Sequence, residues 1–162
     1  MSIRLATPTD VAGLEALATE AYSSYLPRFA NGLRPAPMDA DYASAVRQQQ
    51  AWVAEEDGSL VGMLILVAES DHLLLENVAV APDHQGRGIG RELLSFAETQ
   101  ARTSGFTTIR LYTNALMYEN QRLYERLGYV QTERRREAGH DRIYYAKDLV
   151  APLPDPQTEA EL

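Results

Sequence analysis

The stretch VAVAPDHQGRGIGRELL, residues 78–94, places a glycine-rich turn between an apolar run and a helical pattern. Its glycines, Gly86, Gly88 and Gly90, alternate with larger residues directly before that pattern. A glycine turn that opens a helix presents clustered backbone N–H groups and the positive end of a helix dipole. Because glycine has no Cβ atom, an anion can approach those groups closely. The stretch therefore predicts a phosphate-binding turn, and a ligand-free strand-to-helix turn is the plainer alternative.

Two other phosphate-binding motifs do not fit this stretch. The P-loop needs a Lys-Ser or Lys-Thr pair after its glycines, and none is present here. The dinucleotide fingerprint G-x-G-x-x-G fails because Arg91 stands where the third glycine belongs. That fingerprint also belongs in the first strand-to-helix turn of an alternating fold, whereas this turn follows several predicted strands. A nucleotide-binding domain is therefore poorly supported.

The length and composition indicate one globular domain. The chain has 162 residues, of which 45% are hydrophobic and 23% are charged. We assign the domain to residues 1–150 and expect residues 151–162, rich in proline and acidic residues, to form a disordered tail. The N-terminus shows no signal-peptide pattern, and no apolar run approaches about 18 residues. We therefore expect a cytoplasmic protein without a membrane partner.

The net charge and the absence of cysteine exclude several classes of chemistry. The formal net charge of −8 argues against a nucleic-acid partner and leaves room for cationic ones. Without cysteine the chain cannot form disulfides, thiolate metal sites or an acyl-cysteine intermediate. The histidines His72, His84 and His140 show no spacing with carboxylates that is typical of a metal site. We therefore expect no metal cofactor.

The hydrophobic pattern predicts the element order β-α-α-β-β-β-α-β-α-β-β. Thr7 and Pro8 suit the start of the first helix, and Gly128 suits the end of the last one. The pairs Asp57-Gly58 and Ala138-Gly139 each mark a turn between two strands. The order predicts an α/β (α+β) fold, with a single domain, a mixed and mostly antiparallel central sheet, and helices on both faces.

Two blocks of the sequence resemble the GNAT superfamily of acyl-CoA-dependent N-acyltransferases. The stretch QGRGIG, residues 85–90, is similar to the family's Q/R-x-x-G-x-G/A signature. The stretch LYTNALMYENQRLYERLGY, residues 111–129, resembles its second conserved block, and the element order from 3 to 149 follows the family's layout. The chain is therefore identified as a single-domain member of this superfamily.

The resemblance implies acetyl-CoA as the cosubstrate and suggests which residues hold it. The pyrophosphate would lie on the backbone N–H groups of residues 86–91, and the pantetheine arm would lie along the preceding strand like an added strand. The implied binding residues are Val78, Ala79, Val80, Gln85, Gly86, Arg87, Gly88, Ile89, Gly90 and Arg91. Where the family often has asparagine, this chain has Met117. Asn114 and Asn120 lie nearby, and the sequence leaves open which of them contacts the cosubstrate.

Tyr124 is the candidate acid for acetyl transfer by direct attack of an amine. A phenol with a pKa near 10 can protonate a departing thiolate, whose conjugate acid has a pKa of roughly 8.5–10. The family places its tyrosine at this position. On a predicted helix over 116–127, Tyr124 shares a stripe with Met117 and Asn120. The neighbouring stripe, which we expect to face the core, consists of Leu116, Leu123 and Leu127. The alternative is a boundary tyrosine that only packs its ring.

Glu76 is the candidate general base. It interrupts the apolar stretch LLLENVAV, and strand alternation places it on the same side as Val78 and Val80. A carboxylate there is costly unless it is paired, solvated or functional, so a solvated or arginine-paired carboxylate is the structural alternative. His140 is the rival base, although we expect it at an exposed hairpin tip.

These features favour an N-acetyltransferase that acts on a primary amine of a small molecule or a peptide. The acceptor pocket should lie between the segment 22–42 and the final hairpin, which are outside the two shared blocks. A non-catalytic acyl-CoA-binding or regulatory module on the same fold is the alternative. The sequence favours the enzyme because a binding module needs neither Tyr124 nor Glu76. It leaves the oligomeric state open, a homodimer included.

Overall fold

The computed structural model describes residues 1–149 as one mixed sheet between helices. The strands are β1 (Ser2–Leu5), β2 (Ala51–Glu56), β3 (Ser59–Ala68), β4 (Leu73–Val80), β5 (Thr108–Asn114), β6 (Val130–Glu137) and β7 (His140–Asp148). The helices are α1 (Val11–Tyr22), α2 (Tyr42–Arg47), α3 (Ile89–Thr103) and α4 (Tyr118–Arg126), with 3-10 helices at Pro8–Asp10, Ser23–Arg28, Ala36–Asp39 and Pro82–His84. This order of strands and α-helices matches the predicted one. The expected tail at 151–162, like residue 150, lies outside the described residues.

Local sequence explains the strand pairing. Within residues 1–149 the sheet order is β1-β2-β3-β4-β5-β7-β6, and all neighbours are antiparallel except β4 and β5. Asp57 and Gly58 adopt φ angles of 50° and 79°, and Ala138 and Gly139 adopt 49° and 83°. Two successive residues at positive φ give the hairpin turn whose twist matches that of its strands. The mixed, mostly antiparallel sheet that the sequence predicts is confirmed.

Two apolar clusters lie on opposite faces of the sheet. Because successive strand residues point to opposite faces, Val53 and Met63 face one cluster while Leu64 faces the other. The first face is covered by α1 and α2, whose buried residues include Leu14, Leu17, Tyr42 and Val46. The second is covered mainly by α3, through Leu93, Leu94, Ala97 and Ala101. The expected helices on both faces are therefore present.

The sheet opens between β4 and β5. Within the described chain these strands pair only over 73–75 and 109–111. At the same level, a register shift in the β3–β4 pair leaves Glu76 as a bulged residue, and a bulge bends its strand. The two strands then continue to Val80 and Asn114 without pairing to each other. The candidate site residues lie around the gap between them.

Helix α4 differs from the prediction at its start and in the side that it buries. It is shorter than the expected 116–127 because Asn114 forms a turn before it, accepting the Leu116 N–H at Oδ1 and the Met117 N–H at its carbonyl. Leu116 lies in this turn and is exposed, so its expected place in the core is wrong. Met117 and Tyr124 are buried instead. The remaining leucines of the expected stripe, Leu123 and Leu127, pack partly against the core.

Candidate active site

A long groove runs from the start of α3 along the end of β4 to α4. Its cavity volume is about 670 Å³, within the roughly 300–1,000 Å³ of an ordinary small-molecule pocket. Because the groove is lined from the glycine turn through the end of β4 to α4, it suits an extended ligand. The predicted residues that line it are Val78, Ala79, Val80, Gln85, Gly86, Gly88, Ile89, Gly90, Arg91, Asn120 and Tyr124. Residues from both conserved blocks thus meet in one groove.

Three of the predicted site residues lie off this groove. The Arg87 side chain turns towards Glu56, with Nη1 3.9 Å from Oε1, so only its backbone belongs to the turn. Asn114 and Glu76 line a neighbouring cavity, which we call the inner chamber.

The turn before α3 has positive φ angles and open space at two of its glycines. Gly86 and Gly88 adopt φ angles of 82° and 83°, and Gly88 caps the helix in this left-handed conformation. Glycine is required there because other residues are strained at such angles. A Cβ atom at either position would meet no described atom within 4 Å. Gln85 steadies the turn by donating from Nε2 to the Val80 carbonyl at 3.2 Å. The backbone N–H groups of this turn therefore border open space.

An ion pair that the sequence analysis missed links two walls of the groove. Arg28 donates to Glu119 with Nη2–Oε1 2.5 Å and to the Leu116 carbonyl at 2.8 Å. Its guanidinium carbon lies 4.4 Å from the ring centre of Tyr118 and 5.0 Å from that of Tyr25. Hydrogen bonding from Arg28 lowers the pKa of Glu119 to about 2. No local pattern could reveal this contact, because its partners are 91 positions apart.

The inner chamber lies in the gap between β4 and β5. It shares Tyr22, Val78, Asn120 and Tyr124 with the groove, so the two cavities are neighbours. Its other polar wall residues are Glu76, Asn77, Tyr112, Thr113, Asn114, His140 and Arg142. A group carried along the groove to its inner end therefore meets a polar cavity at Tyr124.

Tyr124 lies at the junction of the groove and the inner chamber. It is 5% exposed, and its ring packs against Tyr129 and Tyr145 with centroid distances of 6.0 and 6.1 Å. Burial raises the pKa of the phenol well above its ordinary value of 10.0. The hydroxyl therefore stays protonated at neutral pH, as a proton donor requires.

Glu76 lies on the chamber wall and is exposed, which agrees with the solvated alternative of the sequence analysis. The reason is the bulge, which places the residue outside the regular strand pairing. It still lines the inner chamber together with Tyr112 and Tyr124. Burial raises the pKa of Tyr112, and the Glu76 charge adds to this effect.

A buried network holds β4 at the bulge. The Tyr22 hydroxyl shares its proton between Asn77 Oδ1 at 2.7 Å and the Val78 carbonyl at 3.0 Å. Asn77 Nδ2 donates to the Tyr42 hydroxyl at 3.1 Å. The network joins α1 and α2 to the strand beside Glu76. Sequence reasoning missed it because the partners are 35 and 55 positions apart.

His140 is buried, against the expectation of an exposed hairpin tip. It is the first residue of β7, and Phe29 packs against it with the ring centres 6.1 Å apart. Its Nδ1 atom lies 3.1 Å from Asn114 Nδ2. Burial lowers the pKa of His140, and the nearby Arg142 lowers it further. The ring is therefore uncharged near neutral pH.

A third cavity, which we call the outer chamber, continues from the inner chamber. The two share Ala36, Pro37, Glu76, Asn77 and Tyr112, and the outer chamber also reaches Asp41 and Tyr42. Residues of the segment 22–42 and of the final hairpin thus line these cavities, as expected. The groove and the two chambers form one series of cavities through the gap in the sheet.

Two further findings concern metals and membranes. In the part of the chain that the structure describes, no three His, Asp or Glu residues are grouped so that they could hold a metal ion. Among the same residues, no helix is long and apolar enough to span a bilayer.

Comparison with known proteins identifies the family. The model of the acetyltransferase (GNAT) family matches residues 16–129, more than two thirds of the chain. The chain belongs to this family. The matched residues include the glycine turn and α4, which border the groove of this GNAT protein.

Sequence relatives of this GNAT protein cover only part of it. N-acetyltransferase family 8 member 3 of Rattus norvegicus is 33% identical over 87 residues, which are 50% of this chain and 38% of the relative. The [ribosomal protein bS18]-alanine N-acetyltransferase of Salmonella typhimurium is 35% identical over 80 residues, 49% of this chain and 54% of the relative. The chain thus spans about half or less of the length of these relatives.

Solved structures share the whole fold of this GNAT protein. The paia N-acetyltransferase of Thermoplasma acidophilum, in complex with coenzyme A, has a TM-score of 0.74. At 16% identity the likeness covers 88% of this chain and 96% of that one. It supports the fold class that the sequence predicts.

Proposed function

We propose that the protein is an N-acetyltransferase that transfers an acetyl group from acetyl-CoA to a primary amine by direct attack. The observation that carries this proposal is the series of cavities through the split sheet. The groove begins at the glycine turn, of a kind that binds phosphate, and leads to the polar inner chamber. The protonated Tyr124 lies where the groove and the chamber meet. The family supports the same reaction. The acceptor is a small molecule or a peptide.

The groove fits acetyl-CoA. Open space at Gly86 and Gly88 leaves room for the pyrophosphate against the backbone N–H groups and the N-terminus of α3. Residues 78–80 have no pairing with β5 among the described residues, so this edge of β4 can pair with the pantetheine amides. Arg91 and Arg126 add positive charge to the groove. When bound, acetyl-CoA supplies an activated acetyl group near Tyr124.

Of the two candidate asparagines, Asn120 is better placed to contact the cosubstrate. Asn120 lines both the groove and the inner chamber. Asn114 lines the inner chamber alone, and its side-chain amide already bonds to His140 and to the Leu116 N–H. We therefore assign the cofactor contact to Asn120 and a supporting role to Asn114.

Tyr124 and Glu76 carry the proton transfers in this proposal. Burial raises the pKa of Tyr124, so its hydroxyl is protonated before the reaction. In the proposal this hydroxyl donates its proton to the departing sulfur. Glu76 lies where the two chambers meet, and its exposure to water lets it accept the ammonium proton directly or through a water molecule.

The decisive experiment measures release of free coenzyme A from acetyl-CoA in the presence of a panel of amines. Amine-dependent release with matching N-acetylated products supports the proposal. Stabilisation by acetyl-CoA without turnover on any amine would favour the non-catalytic binding module. The net charge of −8 argues against a nucleic-acid partner.

A further inference from the structure

The hydrogen bonds around His140 determine which of its ring nitrogens carries the proton. Asn114 Oδ1 accepts the Leu116 N–H at 3.0 Å, so the Asn114 amide is oriented with Nδ2 towards His140. The Nδ2 group can only donate, and His140 Nδ1 must therefore accept. This assignment, made from the bonding pattern, leaves the proton of the neutral ring on Nε2.

His140 is therefore a donor to the inner chamber rather than a base. Its lowered pKa keeps the ring uncharged near neutral pH, and the lone pair on Nδ1 is used by Asn114. Nε2 carries a proton and has no hydrogen-bond partner among residues 1–149. In the arrangement that the structure shows, His140 can give a hydrogen bond to a bound molecule but cannot remove its proton.

Arg142 adds a cationic donor to the same wall. It lies two residues after His140 on β7, so both side chains leave the same face of the strand. Its Nη1 donates to Glu137 at 2.8 Å, and its guanidinium carbon lies 4.7 Å from the Tyr112 ring centre. No described residue accepts a hydrogen bond from its Nε or Nη2. Its side chain is only 17% exposed, so the charge is partly desolvated.

Glu137 occupies only part of the hydrogen-bonding capacity of Arg142. Its carboxylate is shared between Arg142 and Arg135, and it also accepts from the Tyr144 hydroxyl at 2.7 Å. Arg135 also pairs with Glu133, at 3.2 Å, so two carboxylates balance the two guanidinium groups of this cluster. Arg142 therefore offers the chamber the donors on Nε and Nη2 that no described residue accepts. On the side of β4, Glu76 supplies the opposite charge. In addition to burial, the Glu76 charge raises the pKa of Tyr112, whereas the Arg142 charge lowers it.

We propose that His140 and Arg142 form a subsite for an oxyanion of the acceptor, so that the acceptor is an amine with an acidic group close to it, as in an amino acid. The oxyanion accepts from Nε2 of His140 and from the guanidinium, while the amino group lies towards Glu76 and Tyr124. Charged hydrogen bonds in a partly buried site are strong enough to select such a molecule. This inference rests on the proposed acetyl transfer.

The test compares acceptors that differ only at the acidic group. The standard amino acids, their amides and their decarboxylated amines are assayed for acetylation by the whole protein with acetyl-CoA. We expect the best amino acid to exceed its amide and its amine in kcat/KM by about 10-fold or more. Equal kcat/KM values for all three forms would overturn the proposal.

Substitutions assign the preference to the two residues. Arg142→Met should raise KM for the amino acid with little change in kcat. The kcat/KM values for the amino acid, its amide and its decarboxylated amine should then agree within about threefold. Arg142→Lys should keep part of the preference. His140→Phe, which retains the ring packed on Phe29, should weaken the preference too. Arg136→Met is the control, because it removes an equal charge from an exposed position on β6. A preference that survives Arg142→Met would overturn the assignment.

A binding measurement separates this inference from the proposed function. In the presence of coenzyme A, amino acids should raise Tm more than their amides, and Arg142→Met should remove the difference. That result without any acetylation would retain the oxyanion subsite and reject acetyl transfer. Acetylation of amines without selection for the acidic group would retain acetyl transfer and reject the oxyanion subsite.

Discussion

Tyr124 shows how burial determines the protonation state of a side chain that we propose as the acid. Its ring is enclosed by Tyr129 and Tyr145, while its position also borders the groove and the inner chamber. Burial disfavours the phenolate and raises the pKa of the hydroxyl. The sequence identifies the tyrosine, but its protonation state follows from the packing around it.

Replacing Tyr124 by Phe should lower kcat and leave acetyl-CoA binding almost unchanged. The variant keeps the ring and its contacts but has no proton for the departing sulfur, so we expect a loss of about 10-fold to 1,000-fold in kcat. Steady-state kinetics and Tm shifts with acetyl-CoA provide the measurement. Tyr129→Phe is the matched control, since that hydroxyl is buried without a partner among the described residues. An unchanged kcat, with chemistry shown to be rate-limiting, would remove Tyr124 from the mechanism.

Replacing Glu76 by Gln should remove activity near neutral pH and spare stability. Glu76 is exposed, and no hydrogen bond or ion pair to it is present within residues 1–149, so Tm should change little. At high pH a larger fraction of the amine is already unprotonated, and activity should partly recover. The pH dependence of kcat/KM is the readout. A profile equal to that of the unmodified protein would mean that water or the free amine fraction supplies the nucleophile.

At the scale of elements, the turn before α3 combines two requirements. Its glycines must adopt positive φ to reverse the chain into the helix, and their missing side chains leave the N–H groups accessible. The bulge at Glu76 has a comparable double effect, because it bends β4 away from β5 and moves a carboxylate out of the regular pairing. Both features shape the part of β4 and of its following turn that borders the proposed binding site.

Replacing Gly88 by Asp should abolish the stabilisation of the protein by coenzyme A. The new carboxylate would lie beside the expected pyrophosphate and repel it. Gly58→Asp is the matched control, since Gly58 also has a positive φ, 79°, and open space around it, but lies in the β2–β3 turn outside the groove. Thermal unfolding with and without coenzyme A measures the effect. Full stabilisation of the Gly88→Asp variant would contradict the placement of the phosphate.

At the scale of the whole molecule, long-range ion pairs tie the first strand to the rest of the sheet. Arg4 on β1 donates to both oxygens of Asp10, at 2.8 and 3.1 Å, and also to Glu55 on β2. Asp10 in turn accepts the Thr7 N–H at 2.8 Å, before α1. The Arg4 hydrogen bonds lower the pKa of Asp10 from 3.8 to about 2.

This pair predicts part of the acid dependence of stability. Because the pKa of Asp10 is lower in the folded state, its contribution is fully present above about pH 4 and is lost as the pH falls towards 2. Asp10→Asn should therefore lower the free energy of unfolding by about 1–2 kcal/mol at pH 7 and much less at pH 2, since Arg4 is partly solvated. Urea unfolding across this range is the measurement. Asp39→Asn, at an exposed ion pair with Arg34, should change stability little at any pH. An equal loss for Asp10→Asn at both pH values would contradict the linkage.

The sequence by itself determined the parts of this protein that depend on neighbours along the chain. The order of strands and α-helices, the hairpin turns at Asp57-Gly58 and Ala138-Gly139, and the glycine turn at 86–90 were all predictable. Each depends on backbone preferences and side-chain periodicity within a few residues. The family and its fold class followed from two such local blocks.

Only the tertiary structure decided how the site is assembled. Glu76 is exposed because a bulge interrupts its pairing with β3, and His140 is buried because Phe29 covers it from a distant segment. The bond from Tyr22 to Asn77 joins residues 55 positions apart, and that from Arg28 to Glu119 joins residues 91 positions apart. Burial, charge and hydrogen-bond direction at these residues are set by contacts that exist only once the sheet and its helices have packed together.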